Sequence, residues 1–177
     1  MPKVTVSAEL QDDVDRFRAQ RKRESPDINT EPMAIFGRIY RISNRIAPHM
    51  EALFAEYGLE RGEFDVLASL QRSGPPYQLS PTELYTALMI SSGGLTHRLQ
   101  RLEKAGLVRR TPSPSDGRSM LVGLTDEGYR RVKDAFARDM ALEQSWLKPL
   151  SKAERETLAG LLRRLYAGLP EFRKDSG

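Results

Sequence analysis

The stretch from Ser91 to Leu124, SSGGLTHRLQRLEKAGLVRRTPSPSDGRSMLVGL, constrains the fold more than any other part of the chain. It opens on two serines and two glycines and continues at helical period to Gly106. Leu95, Leu99 and Leu102 fall at i, i+4 and i+7, so they share one face that something must bury. Gly93, Thr96, His97, Gln100, Arg101 and Lys104 cover the opposite side. After Gly106 the period changes to two: Leu107 and Val108 start a strand, Arg109 and Arg110 extend it, and Met120 to Leu124 form its return partner. The intervening TPSPSDGRS is a hairpin tip too long for a two-residue turn. A helix followed by a basic hairpin with a protruding tip predicts a winged helix. Residues 91–118 carry six Lys/Arg (98, 101, 104, 109, 110 and 118) against two acids, Glu103 and Asp116. Positive charge in that place suits phosphates, and the polar helix face suits base edges in a major groove.

The rest of the chain is mostly amphipathic helix. Residues 7–24 predict a leading helix with Ser7 as its cap, a Leu10, Val14 and Phe17 stripe, and Arg21, Lys22 and Arg23 at the end where the macrodipole favours cations. A Pro-containing linker leads to a helix over Glu31 to Tyr57, capped by Thr30. Ile35, Ile39, Ile42, Ile46, His49 and Leu53 trace its seam, Pro48 within it is expected to kink the helix, and Gly58 ends it. A shorter helix over Leu59 to Ser73 turns Phe64, Leu67, Ala68 and Leu70 inward. Tyr77 to Leu79 reads as one more short strand. Ser80-Pro81-Thr82-Glu83 is a capping box with proline at the first helical position, and the helix it starts holds Leu84, Leu88 and Met89. It leads through residues 89–92 into the recognition helix, which makes the pair a helix-turn-helix. Thr125 begins a long helix bearing Tyr129, Val132, Phe136, Met140 and Leu147, ended by Pro149. Ser151 to Glu154 forms a second capping box before a face of Leu158, Leu161, Leu162, Leu165 and Leu169. Amphipathic helices at both ends need a surface to cover their stripes, and a twofold dimer provides one.

The division expected is an extension over residues 1–30, a helical dimerisation region from 31–58 and 125–177, and a DNA-binding lobe over 59–124. The class is mainly α, a winged helix-turn-helix lobe plus a helical dimerisation domain. A formal charge of +4 over 177 residues doubles in a dimer and biases encounters toward polyanions. The chain has no cysteine, which excludes disulfides, thiolate metal sites and cysteine nucleophiles. No run approaches the ~18 apolar residues of a membrane span and no signal-peptide core is present, so a cytoplasmic protein is expected. With two histidines and no P-loop, dinucleotide fingerprint, zinc-protease motif or nucleophile elbow, neither an enzyme nor a cofactor or metal is expected.

On the polar face, Ser92, Thr96, His97, Gln100 and Arg101 are the candidate DNA contacts. Gln100 suits adenine and Arg101 guanine, while either could touch phosphate alone. Arg98 falls beside the leucine face, so its guanidinium turns toward the protein and needs an acceptor. Asp65 is the candidate partner, with Glu103 the local alternative. His49 lies on its helix seam, as a packed residue or as a ligand contact.

The run GGLTHRLQRLEKAGLVRR, the Asp116-Gly117-Arg118 pattern of the hairpin and Leu124-Thr125 together resemble the MarR family of bacterial transcription regulators, over roughly Glu31 to Leu169. The resemblance implies a homodimer with two winged-helix lobes, binding to palindromic double-stranded DNA, most often as a repressor, and weakening of that binding by small ligands. It also implies that Arg118 enters a minor groove, where narrow A-tracts attract arginine. RGEFDVL with SGGLTHR is similar to the urate-responsive, PecS-like branch, which has an extra N-terminal helix. That similarity implies that Asp65 and Arg98 form a latch to the recognition helix which a small anionic or aromatic effector disturbs. The branch usually carries a tryptophan in its leading helix; here the only tryptophan is Trp146, and Arg21 stands near the vacant place, suited to another anion. The rival expectations are a non-specific architectural DNA binder and a winged-helix protein-interaction module.

Overall fold

The computed structural model describes residues 11–89, 94–113 and 119–170. The chain divides into two compact units, Met1–Arg61 and Gly62–Gly177.

In the N-terminal unit, α1 spans Asp13–Glu24 and α2 spans Glu31–Glu56. The expected Ser7 cap and Leu10 lie outside the described residues. The cap of α1 is instead Asp12, whose carboxylate accepts from the Val14 and Asp15 N–H groups in a capping box closed by Asp15. Val14 is buried, whereas Phe17 is half exposed beneath the guanidinium groups of Arg16 and Arg41. Arg38 of α2 donates to Asp12 at 2.9 Å and to Asp15 at 2.7 Å, and Arg41 pairs with Asp13. The Arg38 guanidinium holds the Asp15 carboxyl below the usual carboxylate range, so this clamp between α1 and α2 is charged at neutral pH.

Thr30 occupies the cap position of α2 but makes no side-chain capping bond; Asn29 accepts from the Glu31 N–H at 2.9 Å, and the Thr30 carbonyl accepts from Arg18. The capping work has moved back one residue because an Asn side chain reaches the N–H two positions on. Pro48 sits inside a helix that runs uninterrupted to Glu56. Of the expected seam of α2 only Leu53 is buried; Met50 and Phe54 beside it are buried too, while Ile35 and Ile42 are more than half exposed.

In the C-terminal unit, α3 (Arg61–Arg72) and α4 (Pro81–Ala87) precede the recognition helix α5 (Leu95–Lys104). Strands β1 (Gln78–Leu79), β2 (Val108–Pro112) and β3 (Met120–Leu124) form an antiparallel sheet in the order β1-β3-β2. Val108 pairs with Leu124 and Pro112 with Met120, and Ser113 extends the hairpin by bonding to Ser119 at 2.8 Å. Helices α6 (Asp126–Trp146) and α7 (Lys152–Ala167) complete the chain.

The expected one-sided burial of α3 is too modest. Phe64, Val66, Leu67 and Leu70 are buried, and so are Glu63, Asp65 and Ser69 on its other sides. Helix α5 is shorter than the run to Gly106 suggests, because the Leu107 N–H turns back to the Leu102 carbonyl at 2.9 Å and launches the strand. Met89 lies beyond α4 and is 82% exposed, so it is not part of that helix's apolar face. The Ser80 and Ser151 capping boxes form as expected.

A close approach fixes the start of α6 against the wing. Thr125 donates to the Gly106 carbonyl at 2.7 Å and accepts from the Gly128 N–H at 3.0 Å. A Cβ at Gly128 would stand 2.0 Å from the Leu107 carbonyl oxygen. Helix propensity alone would make Gly128→Ala stabilising by ~1 kcal/mol. Collision with backbone reverses the sign, and a net loss of about 1–3 kcal/mol is expected. A lowered midpoint in a urea titration checks this; a raised midpoint would contradict it.

Candidate nucleic-acid interface

Burial divides α5 into two faces. Leu95, Leu99 and Leu102 are at most 9% exposed, whereas Thr96, His97, Gln100, Arg101 and Lys104 are all exposed. The leucines fix the rotation of the helix, and the hydrophilic arc is left at the surface of the lobe. Ser92, Asp116 and Arg118 lie outside the described residues. In β2, Arg109 and Arg110 are both exposed, and Arg110 pairs with Glu103 of α5 at 3.3 Å. Glu103, the local alternative for Arg98, thus has a strand partner.

Helix α3 holds this assembly through its buried polar groups. The Met89 N–H donates to Asp65 Oδ1 at 3.3 Å, and the Ala87 carbonyl accepts from Ser69 Oγ and from Arg72. Residues 65, 69 and 72 stand at i, i+4 and i+7, a single face set against the exit from α4. At its first turn, α3 meets α5. The Arg98 guanidinium lies across Gly62: a Cβ there would come within 2.4 Å of its Nε and 2.5 Å of its Cζ. Glu63, with its side chain only 4% exposed, accepts from Arg101 Nε at 3.0 Å.

The structure sets the Arg98 guanidinium over Gly62, three residues before Asp65 along α3. It adds two residues that pattern reading did not single out, Gly62 and Glu63. Gly62 left a signal, since glycine inside a helix costs ~1 kcal/mol against alanine and calls for a packing reason. Glu63 left none, because a glutamate in a first helical turn already complements the macrodipole.

His49 and Arg21 belong to the N-terminal unit, each exposed on its helix. An open groove of about 1080 Å³ runs between α1 and α2, lined by Arg16, Arg38, Arg41, Arg45 and the three aspartates of α1 and its cap; neither Arg21 nor His49 lines it. Among the described residues no group of three or more His, Cys, Asp or Glu could hold a metal ion, and no helix is long and apolar enough to cross a membrane.

A helix with a leucine-buried back and a hydrophilic front, followed by a basic antiparallel hairpin, defines a winged helix-turn-helix protein. Comparison with known proteins carries this further. The model of the MarR family matches residues 57–119. The regulator PecS of Dickeya dadantii, described as an HTH-type transcriptional regulator, is 40% identical over 146 residues, covering 82% of this chain and 88% of that one. A cysteine-to-serine variant of Escherichia coli MarR, solved with operator DNA, is 28% identical with a TM-score of 0.65, covering 81% of this chain and all of the other. Bordetella bronchiseptica BpsR, from a study of how 6-hydroxynicotinic acid regulates its DNA binding, shares the fold at 24% identity and a TM-score of 0.66, over 77% of this chain and 94% of its own. The chain belongs to the MarR family.

The contact at Gly62 is testable in isolation. Gly62→Ala gains ~1 kcal/mol of helix propensity, but its methyl must displace the Arg98 guanidinium, the movable end of a long side chain, so a net change near zero is expected in denaturant titrations. In an Arg98→Ala background the same change should stabilise by ~1 kcal/mol, giving a measurable coupling energy in the double-mutant cycle. An equal effect in both backgrounds would mean that the two side chains do not compete for the space.

Proposed function

We propose that this protein is a sequence-specific transcriptional regulator, most often a repressor, that binds a pseudo-palindromic operator as a homodimer and leaves it when a small anionic or aromatic effector binds. The observation that carries this reading is the division of α5 into a buried leucine face and an exposed arc of Thr96, His97, Gln100, Arg101 and Lys104. It is supported by the family membership, by a related MarR solved with operator DNA, and by a fold neighbour whose DNA binding 6-hydroxynicotinic acid regulates.

In this reading Gln100 and Arg101 enter the major groove, Ser92, Thr96 and His97 contact its edge or the backbone, and Arg118 of the wing tip enters the adjacent minor groove. The homodimer is formed by the helical region of residues 31–58 and 125–177. What supports it is apolar surface left uncovered in a single chain. Helix α7 buries none of its residues, and Leu158, Leu161, Leu162, Tyr166 and Leu169 are 43–80% exposed. Phe136 and Met140 of α6 are exposed as well, and in the N-terminal unit so are Ile35 and Ile42 of α2. Large apolar side chains exposed along one helix in this number mark an association surface. A twofold dimer then sets the two α5 helices roughly 34–36 Å apart, one turn of the duplex.

Effector response works by differential affinity: a ligand that favours lobe spacings mismatched to the grooves shifts the population away from DNA. Asp65 and Arg98 are the proposed latch, with Arg21 and His49 proposed on the effector's side. A non-specific architectural binder is the rival reading.

In mobility-shift assays on an operator selected from random duplexes, Arg118→Ala and Gln100→Ala should each weaken binding, and Gln100→Ala should erode the preference over a scrambled duplex by roughly 5- to 100-fold. A wild-type protein with no preference would favour the architectural reading. For the latch, Asp65→Asn keeps an acceptor for the Met89 N–H but removes the charge facing the junction. It should change the response to aromatic carboxylates, 6-hydroxynicotinate first, more than it changes ligand-free affinity. Equal loss of both would make Asp65 a structural residue only.

A further inference from the structure

Arg38, Arg41 and Arg45 of α2 stand at i, i+3 and i+7, so they share one side of the helix. Like charges at that spacing repel and weaken a helix unless anions lie among them. Helix α1 delivers anions from its cap and first turn. Asp12 accepts from Arg38 Nε at 2.9 Å and from its Nη2 at 3.1 Å, Asp15 accepts from the same Nη2 at 2.7 Å, and Asp13 pairs with Arg41. Arg45 is exposed, lines the groove between the two helices with Arg41, and meets no carboxylate among the described residues. We propose that this arginine stripe is a binding site for a compact polyanion bearing a diphosphate group, that α1 occupies the site in cis with its own carboxylates, and that such an anion displaces α1. Both helices belong to the N-terminal unit, so the site is independent of the DNA-facing reading of α5.

Apart from these charges, little holds α1 in place. Val14 is its one buried residue, seated against Gly37, where a Cβ would stand 3.2 Å from Val14 Cγ1. Phe17 lies half exposed beneath the Arg41 guanidinium. The ion pairs themselves are open to solvent: the Arg38 side chain is 36% exposed, Asp12 48% and Arg41 51%. Pairs in that setting are weak, and ions from solution compete with them. A diphosphate carries its charge and acceptor oxygens in one small group, and guanidinium groups pair with phosphate through two parallel hydrogen bonds. Arg45 offers it a starting place that the aspartates do not contest. Once it bridges Arg45 and Arg41, its charge stands against Asp13, and the repulsion drives the first turn of α1 away.

Hydrogen exchange of the α1 amides in the full chain reads the displacement, because a helix of 12 residues without tertiary support frays in water. Millimolar pyrophosphate should speed α1 exchange roughly 10-fold, as local opening does, and leave α3 and α6 unchanged. Sodium chloride of equal ionic strength should do much less, since screening is indifferent to the shape of the anion. Arg45→Gln should leave α1 as protected as in wild type and remove most of the pyrophosphate response. Asp12→Asn, Asp13→Asn and Asp15→Asn combined keep a capping side chain but remove the occupying charges. In that variant α1 should exchange fast without added anion, and calorimetric titration should show pyrophosphate bound more tightly than by wild type. Adenosine diphosphate separates the two sources of the group: tighter binding than pyrophosphate assigns the site to a nucleotide, weaker binding to the free ion, and adenosine alone should have no effect. The proposal is overturned if α1 exchange ignores pyrophosphate, if sodium chloride or adenosine does as much, or if α3 and α6 open together with α1. It is also overturned if Arg45→Gln responds like wild type, or if the aspartate variant binds pyrophosphate no better than wild type.

Discussion

A buried polar side chain has to find its partners inside the protein, and α3 carries three of them. Leaving a buried donor or acceptor unmade costs ~1–3 kcal/mol, so Glu63, Asp65 and Ser69 tie α3 to whatever packs around it. Their partners belong to α5 and to the exit of α4: Arg101 of the recognition helix, the Met89 N–H and the Ala87 carbonyl. The apolar residues Val66, Leu67 and Leu70 provide burial without direction. The polar ones provide direction. The rotation of α5 is set by its leucines, and its attachment to α3 by the Glu63 carboxylate on Arg101 and by the Arg98 guanidinium across Gly62.

This arrangement also suits a ligand-controlled binder. Apolar packing alone gives a broad energy well, whereas an ion pair at a helix junction has two distinct states, made and broken. A small anion that competes for an arginine at such a junction can change the placement of α5 without disturbing the core. The uncovered faces of α6 and α7 fit the same picture, since a lobe that moves relative to a twin needs a twin fixed elsewhere. Those faces lie on helices that follow the wing in sequence, so the proposed DNA contacts and the proposed partner contacts occupy separate stretches of the C-terminal unit.

The winged helix was legible in the sequence because each of its devices is local. Leucine spacing gave the buried face of α5, Ser80 to Glu83 gave the start of α4, and the change of period after Gly106 gave the hairpin. Legibility failed where tertiary contacts decide. Asp12 outcompetes more distant candidates as the cap of α1, and Asn29 takes the capping bond that Thr30 was expected to make. The burial of α3 on its polar sides could not be read from a pattern that looks amphipathic. Glu63 is the plainest case: its neighbours in sequence say surface, and only the return of α5 some forty residues later makes it a buried partner. Arg101 was read from the helical wheel as facing outward, which its exposure supports, but a wheel shows nothing of the carboxylate that holds its Nε.

The central claim is that α3 anchors α5 so that the hydrophilic arc of the recognition helix meets the edges of base pairs. A crystal structure of the full-length protein on its selected operator tests it most directly. The account predicts Gln100 and Arg101 within about 3.2 Å of base-edge atoms in the major groove, with Leu95, Leu99 and Leu102 still buried behind them. A complex in which that arc packs against protein, or touches phosphates alone, would contradict it.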